Sequence, residues 1–370
     1  MRDITEIVVI SFLALAICYL IIEQVILMRL RKHFKVVIHV NGTRGKSTVS
    51  RYMDAILREA GYHPFTKTTG TLPMMRYPDG HEEVIHRWGR ANIREQMKMM
   101  WKAYRHHADA LILECMAVDP LLQWHTEAHI LRADINIITN VRRDHLDLMG
   151  ESLEAIATSL GNTASKNTIV VTADAMHADL IEKAVLPKGA SFVFAPSIAN
   201  VNMIPLLQEN ISVAVKTAQI LGISEDIALH GIESYHPDPG AFIIESLGQM
   251  IFINALSAND PDSTMELYRA IESQFAPKRI ALLVNNRADR PTRTLQSIAF
   301  IQAIKPHCVY IAGDNAYVVK KKVEKIIKPI IYRHIEDILN EEVVFAFGNI
   351  GGQGFKILKA CEEWRKHHGH

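Results

Sequence analysis

The sequence lacks the features of a stapled domain or a nucleic-acid binder. Its four cysteines (Cys18, Cys115, Cys308 and Cys361) lie far apart in the 370-residue chain and form no C-x-x-C pair. A disulfide framework or a zinc site is therefore not encoded, and a reducing compartment fits best. Lysine and arginine total 41 against 40 acids, a net charge of +1 that argues against a nucleic-acid partner, for which a strongly basic face is expected. Repeats and low-complexity tracts are absent too. What remains is long enough for two globular domains and, at 48% hydrophobic residues, apolar enough to give each a core.

The amino end is different material. From Ile7 to Ile22 the chain is almost unbroken apolar, and Val25–Met28 extends the run past Glu23 and Gln24. That is about 22 residues, enough to cross roughly 30 Å of hydrocarbon. R29-L-R-K32 follows at once, and the positive-inside rule puts that end in the cytoplasm. A signal peptide is the rival reading, but the basic flank is on the wrong side and no A-x-A-like site follows. Glu23 belongs at the membrane interface.

Beyond this anchor, strand and helix periods alternate. V36-V-I-H-V40, A110-L-I-L113 and I135-N-I-I-T139 read as buried strands. Val49, Tyr52, Met53, Ile56, Leu57 and Ala60 recur on one face of a helix that Gly61 stops. Ile93, Met97, Met100, Trp101 and Tyr104 make a second such face, read as core. The alternation predicts an α/β fold with a doubly wound, mostly parallel sheet and ligands outside the carboxyl ends of its strands. A break at H236-P-D-P-G240 precedes a second α/β set that includes M250-I-F-I-N254, I280-A-L-L-V284, C308-V-Y-I311 and V343-V-F-A-F347. The expected domains are 1–32, 33–238 and 239–370.

The chemistry is concentrated at N41-G-T-R-G-K-S-T48, between a strand and a helix. The usual phosphate loop, G-x-x-x-x-G-K-[ST], wants glycine where this chain has Val40. Gly42 and Gly45 still let the backbone aim its N–H groups at phosphate, and the helix N-terminus adds its positive end. Lys46 would reach the terminal phosphates, and the Ser47 hydroxyl would bind Mg²⁺. A strand–turn–helix corner that carries G-K-S by chance is the alternative. Glu114 ends a core strand at the same sheet edge, where a carboxylate suits Mg²⁺, although a solvated strand end looks the same. T139-N-V-R-R-D-H-L-D147 brings two acids and His145 to that edge. Imidazole suits Mn²⁺ better than Mg²⁺, and a lone histidine is more often structural.

G42-T-R-G-K-S-T48, an acid ending the next core strand and T139-N-V-x-x-D-H-L-D147 followed by M149-G150 resemble the Mur ligase superfamily. Its phosphate loop is the G-T-x-G-K-[ST]-T variant, which accounts for Val40. N210-I-S-V-A-V, L221-G-I, Pro239 with Gly240, and A258-N-D-P-D-S263 extend the likeness over nearly the whole chain after the anchor. Within the superfamily the chain is most similar to the PgsB/CapB family, the membrane-associated ligase subunits of poly-γ-glutamate synthases. The runs K67-T-T-G-T71, E114-C-M-A-V118, H236-P-D-P-G-A241, N286-R-A-D-R290 and G348-N-I350 carry that narrower resemblance.

The resemblance implies a P-loop-type Mur ligase central domain and a smaller Rossmann-like C-terminal domain behind the transmembrane helix. It implies ATP and Mg²⁺ (or Mn²⁺) as cofactors, with glutamate and the growing poly-γ-glutamate chain as substrates. It also implies a multi-spanning membrane subunit as partner in the cell membrane, with the catalytic domains cytoplasmic; self-association is left open. Catalytic roles fall to Lys46, Glu114 and His145. Nucleotide contacts fall to Asn41, Gly42, Thr43, Arg44, Gly45, Lys46, Ser47 and Thr48, with Asn259, Asp262, Asp289 and Arg290 from the second domain. Ser47, Glu114 and His145 would hold metal, and Lys67, Thr71 and Arg287 would face substrate. For the second-domain residues, ordinary polar loop groups are the competing reading.

Two departures stand out. Where many Mur-type enzymes carry a carbamylated lysine downstream of the histidine, this chain has Leu160, and Lys166 nearby is not assigned the role. The anchor is followed almost at once by the first strand, which leaves no room for a UDP-binding domain. Against the ligase stand two further classes. One is a membrane-tethered P-loop ATPase that powers polymer export, since a hydrophobic strand ending in Glu114 also resembles a Walker B element. The other is a non-enzymatic scaffold, which the intact loop disfavours.

Overall fold

Runs of β-branched residues become central strands when both faces of a sheet are covered. The computed structural model describes residues 2–70, 72–87, 89, 91–198, 205–238, 240–258 and 261–368. It divides into a first unit, Met1–Val201 with Leu206–His236, and a second, Asn202–Pro205 with Pro237–His370. In the first unit the strands are Val36–Asn41 (β1), Pro64–Lys67 (β2), Met74–Arg76 (β3), Glu82–Val84 (β4), Ala110–Glu114 (β5), Ile135–Ile138 (β6), Ile169–Thr172 (β7) and Ser191–Phe194 (β8). They form one sheet in the order β4-β3-β2-β5-β1-β6-β7-β8. The pairs from β2 to β8 are parallel, while β3 and β4 add an antiparallel edge. β1 lies between β5 and β6, both later in the chain. Sheets of this kind open their ligand crevice at such a reversal of strand order.

The first helix, Arg2–His33 (α1), is long and apolar enough to cross a membrane. Side chains from Ile4 to Ile22 are all exposed, whereas Leu27 and Leu30 are buried beside Phe34. The apolar run is therefore two segments rather than one. Part of Val25–Met28, expected in the span, instead packs on the first unit, a distinction hydropathy alone does not make.

Lys46–Glu59 (α2) follows the phosphate loop and buries Val49, Tyr52, Met53, Ile56 and Leu57, the expected face. Its opposite face is buried as well: Asp54 is fully enclosed, with Arg58 and Arg76 paired to it and Thr66 donating to it at 2.6 Å. The third helix, Arg94–Arg105 (α3), corrects a second expectation. Its buried residues are Gln96, Met99, Met100 and Ala103, while Trp101 and Tyr104 are exposed. The core face is rotated from the one that the large aromatics mark.

The second unit has its own six-stranded sheet. Its strands are Ile243–Leu247 (β9), Met250–Asn254 (β10), Ile280–Asn286 (β11), Val309–Gly313 (β12), Ile330–Ile331 (β13) and Val343–Gly348 (β14). The order is β13-β12-β11-β14-β10-β9, parallel except for the β9–β10 hairpin. Helices Pro261–Phe275, Pro291–Ile304 and Gln353–His368 belong to the same unit.

Candidate active site at the phosphate loop

The loop that joins β1 to α2 is shaped by two glycines. Gly42 has φ +125°, and a Cβ there would lie 2.1 Å from Thr139 Oγ1; Gly45 has φ +82°. No other residue fits such an approach without moving the backbone. The loop is clamped from the T139-N140 segment behind β6. Thr43 N donates to Asn140 O at 3.0 Å, Arg44 N to Asn140 Oδ1 at 3.0 Å, and Thr139 Oγ1 to Arg44 O at 2.5 Å. Arg142 N in turn donates to Thr43 Oγ1 at 3.0 Å. The motif is thus one structural piece: its second segment fixes the backbone of its first.

At the head of α2 no side chain caps the helix, so its leading N–H groups and positive dipole end face the loop. Thr48 lies in this first turn. Lys46 Nζ folds back and donates to Gly42 O at 2.7 Å and Thr43 O at 3.3 Å. Ser47 Oγ donates to Glu114 Oε2 at 2.8 Å, which unites two of the three residues expected to hold metal. Glu114 is buried and also accepts from Thr69 N at 2.7 Å and Thr69 Oγ1 at 2.5 Å.

His145 stands apart from that contact. It is exposed, has a left-handed backbone with φ 47°, and its Nε2 is 3.9 Å from Asp144 Oδ1. Yet Lys46, Thr69, Arg87, Asp144 and His145 all line one cavity of about 290 Å³ with the loop. Among the described residues no group of three His, Cys, Asp or Glu side chains is placed to hold a metal. Leu160, at the position of the absent lysine, is buried in an apolar cluster with Val141, Met149 and Ile156; Lys166 is exposed. Asn41 turns inward, where its Nδ2 donates to Gln123 Oε1 at 3.0 Å.

Lys67 is fully buried behind Glu114. Its ammonium donates to Gln96 Oε1 at 2.9 Å and pairs with Glu95 at 3.0 Å. Burial pushes its pKa below the ordinary lysine value, against the pull of Glu95 and Glu114. Burial would raise Glu95, but the Arg87 hydrogen bonds and the Lys67 charge hold it down to about 2. Gln96 Nε2 closes the network by donating to Glu114 O at 3.0 Å.

In the second unit, Arg287 grips Asp289 through Nε at 3.0 Å and Nη2 at 2.7 Å, and Arg290 lies 3.9 Å from the same carboxylate. Thr71, Asn259 and the side chain of Asp262 lie outside the described residues.

The donor set fits a nucleotide and a divalent cation. The loop presents a cradle that a Cβ would fill, with a lysine over it. Asn210 Oδ1, close against Gly45, is buried without a hydrogen-bond partner among the described residues. Ser47 and Glu114 supply hard oxygen ligands in contact with each other, and such cations complete their shell with phosphate oxygens and water. Sequence reasoning missed Thr69, Arg87, Gln96 and Asn140 as parts of the site. Thr69 and Asn140 sit inside quoted motifs, so a signal existed; Arg87 and Gln96 arrive only through tertiary packing.

Comparison with known proteins finds relatives for both units. The Mur ligase middle domain model matches residues 40–225, and the model of the poly-gamma-glutamate synthase CapB C-terminal domain matches residues 243–364. The chain is 29% identical to the PGA synthase CapB of Bacillus subtilis (strain 168) over 361 residues, 89% of this chain and 90% of that protein. It is 29% identical to the capsule biosynthesis protein CapB of Bacillus anthracis over 357 residues, 88% of this chain and 76% of that protein. In fold it is similar to E. coli FolC in complex with ADP, with TM-score 0.69, 17% identity and 93% of each chain covered. A Yersinia pestis bifunctional folylpolyglutamate synthase/dihydrofolate synthase with AMPPNP and Mn ion gives TM-score 0.67 at 16% identity, with 92% of each chain covered.

Proposed function

The chain belongs to the Mur ligase family, and from that premise we propose that it is an ATP-dependent amide ligase that joins glutamate into poly-γ-glutamate. The observation that carries this is the phosphate loop locked to Ser47, Glu114 and the T139-N140 segment, in a chain whose second unit matches a poly-γ-glutamate synthase domain. A carboxylate is a poor acyl donor in water. ATP supplies the phosphoryl group that turns it into an acyl phosphate, which an amine then attacks. The protein's share is positioning and charge neutralisation.

Lys46, now on the loop carbonyls, would reach the terminal phosphates. Ser47 and Glu114 would hold the metal, with Mg²⁺ as the proposed ion and Mn²⁺ an acceptable substitute. His145, at the same cavity, is assigned to the acceptor carboxylate, with Asp144 beside it and paired to Arg44. Lys67 acts through Glu95 and Gln96 on the position of Glu114. Thr71 is assigned to substrate, and Arg287 on the second unit to the acidic polymer. We assign residues 1–32 to a single-pass membrane anchor, 33–238 to the ATP-binding domain and 239–370 to the C-terminal domain, both cytoplasmic. One helix cannot carry a polyanion across the bilayer, because each charge at its centre is costly, so a multi-spanning subunit is the proposed partner.

The test is ATP-dependent incorporation of labelled glutamate by membranes that contain the full-length chain. Lys46→Ala removes a charge-assisted contact to the transferring group, worth about 3 kcal/mol, or roughly a hundredfold in rate. A folded Lys46→Ala protein with near-normal turnover, or ATP hydrolysis without amide formation in the wild type, would sink the reading.

A further inference from the structure

A groove of about 790 Å³ runs between α1 and α3. One wall is formed by Tyr19, Ile22 and Ile26 of α1, the other by Trp101 and the cations of α3. Lys98, Lys102 and Arg105 are spaced i, i+4 and i+7, so they stack on one helix face around the exposed indole of Trp101. The acid among the described lining residues is Glu23, which is ion-paired with Arg94. Arg94 also donates to Tyr19 OH at 3.1 Å, which ties the two helices together at the groove's mouth. Lys102 Nζ donates to Tyr77 OH at 3.0 Å and lies 3.8 Å from Glu83, while Lys98 and Arg105 project into solvent. The groove is thus apolar along its length and positive along one rim.

Its depth follows from α1. The segment Ile4–Ile22 is exposed throughout, and a helix of about 20 residues spans roughly 30 Å of hydrocarbon. The segment ends at Tyr19–Glu23, so the groove begins where hydrocarbon gives way to headgroups. Trp, Tyr and long basic side chains favour that level.

We propose that this groove seats an anionic phospholipid. One acyl chain lies on Ile22, Ile26 and the Trp101 ring, and the phosphate meets Lys98, Lys102 and Arg105. This rests on α1 crossing the bilayer as proposed above. A zwitterionic headgroup brings a compensating cation to the same rim and gains less there. Because α3 also carries Glu95 and Gln96 behind Glu114, an occupied groove steadies the helix that backs the catalytic carboxylate.

For the test, the full-length protein is stripped of lipid in mild detergent. It is then titrated with phosphatidylglycerol or phosphatidylcholine, and bound lipid is counted by native mass spectrometry. Phosphatidylglycerol should bind more tightly. The combined Lys98→Gln, Lys102→Gln, Arg105→Gln variant should lose that preference, by roughly fivefold per cation and on the order of a hundredfold in all. Fluorescent-nucleotide binding checks that the variant is folded; if it is not, Arg105→Gln alone should show the roughly fivefold loss. Equal affinity for the two lipids, or unchanged phosphatidylglycerol affinity in the variants, overturns the proposal. Alkaline carbonate extraction separates the premises. A chain that washes off the membrane refutes the span and the groove with it. One that stays but does not discriminate between lipids refutes the groove alone.

Discussion

At the scale of single residues, the site divides by how each side chain reaches it. Gly42, Lys46 and Ser47 were legible because one continuous strand–turn–helix positions them, and the periodicity of the flanking elements fixes their register. Glu114 was legible for a related reason, since the end of an inner strand must face the same edge. Arg87 and Gln96 were not, because nothing local ties them to the loop; they are delivered by the segment before α3 and by α3 itself. The role proposed for His145 distinguishes a ligase from a transport ATPase, which activates only water and has no acceptor carboxylate to hold. The His145 side chain is exposed, and its ion-pair neighbour among the described residues is Asp144 at 3.9 Å, so the imidazole contributes little to the fold. His145→Ala should therefore change stability by no more than about 0.5 kcal/mol. It should keep fluorescent-nucleotide affinity and lose glutamate incorporation. Survival of both activities would leave the D144-H-L-D147 loop merely structural.

Helices show where pattern reading stops. The apolar stripe of α2 is plain in the sequence, but pattern alone does not reveal that its charged face is covered too, by the β3–β4 edge. Asp54 there carries Arg58 at 2.8 Å and Arg76 at 3.0 Å in a fully buried position. Asp54→Ala removes the carboxylate that both guanidinium groups share, leaving Arg58 to the carbonyls of Pro64, Tyr77 and Pro78 and Arg76 to Glu82, and should cost about 3 kcal/mol, read from the urea midpoint. In α3 the expected face holds at Ile93, Met97 and Met100 but not at Trp101 and Tyr104, which are exposed while Met99 and Ala103 complete the core side. Large aromatics mark a core only when no membrane or ligand competes for them. α3 also gives the domain a pH dependence. Glu95 titrates near 2 when folded and near 4.5 when not, so between those values the unfolded chain binds more protons. Its contribution is complete above about pH 4.5 and fades as pH falls toward 2. Glu95→Gln should flatten the acid limb of the stability–pH profile; an unchanged limb would mean that other carboxylates set it.

For the whole molecule, the alternation of strands and helices gave the α/β class, and two separate sheets realise it. What the sequence hid is that its most apolar stretch serves two solvents. Ile4–Ile22 is exposed throughout, while Leu27 and Leu30 are only 4% and 5% exposed, in a cluster with Phe34, Val37 and Met100. Arg31 adds a 2.6 Å ion pair to Asp134 at the same end. α1 is thus both a candidate span and a structural helix of the first unit, with the change of role near Glu23. Two truncations separate these roles. Removing residues 2–22 takes away the exposed segment Ile4–Ile22 and, of the contacts to α3, the Tyr19–Arg94 hydrogen bond, so the remainder should unfold close to the full-length midpoint and still bind nucleotide. Removing residues 2–33 also uncovers the surface under Leu27 and Leu30. At about 1.5–3 kcal/mol for each buried leucine, this should lower stability by roughly 3–6 kcal/mol, with a lower urea midpoint and a greater tendency to aggregate. Equal midpoints for the two truncations would show that the carboxyl end of α1 rests on the unit without stabilising it. The groove beside α3 would then have only one firm wall.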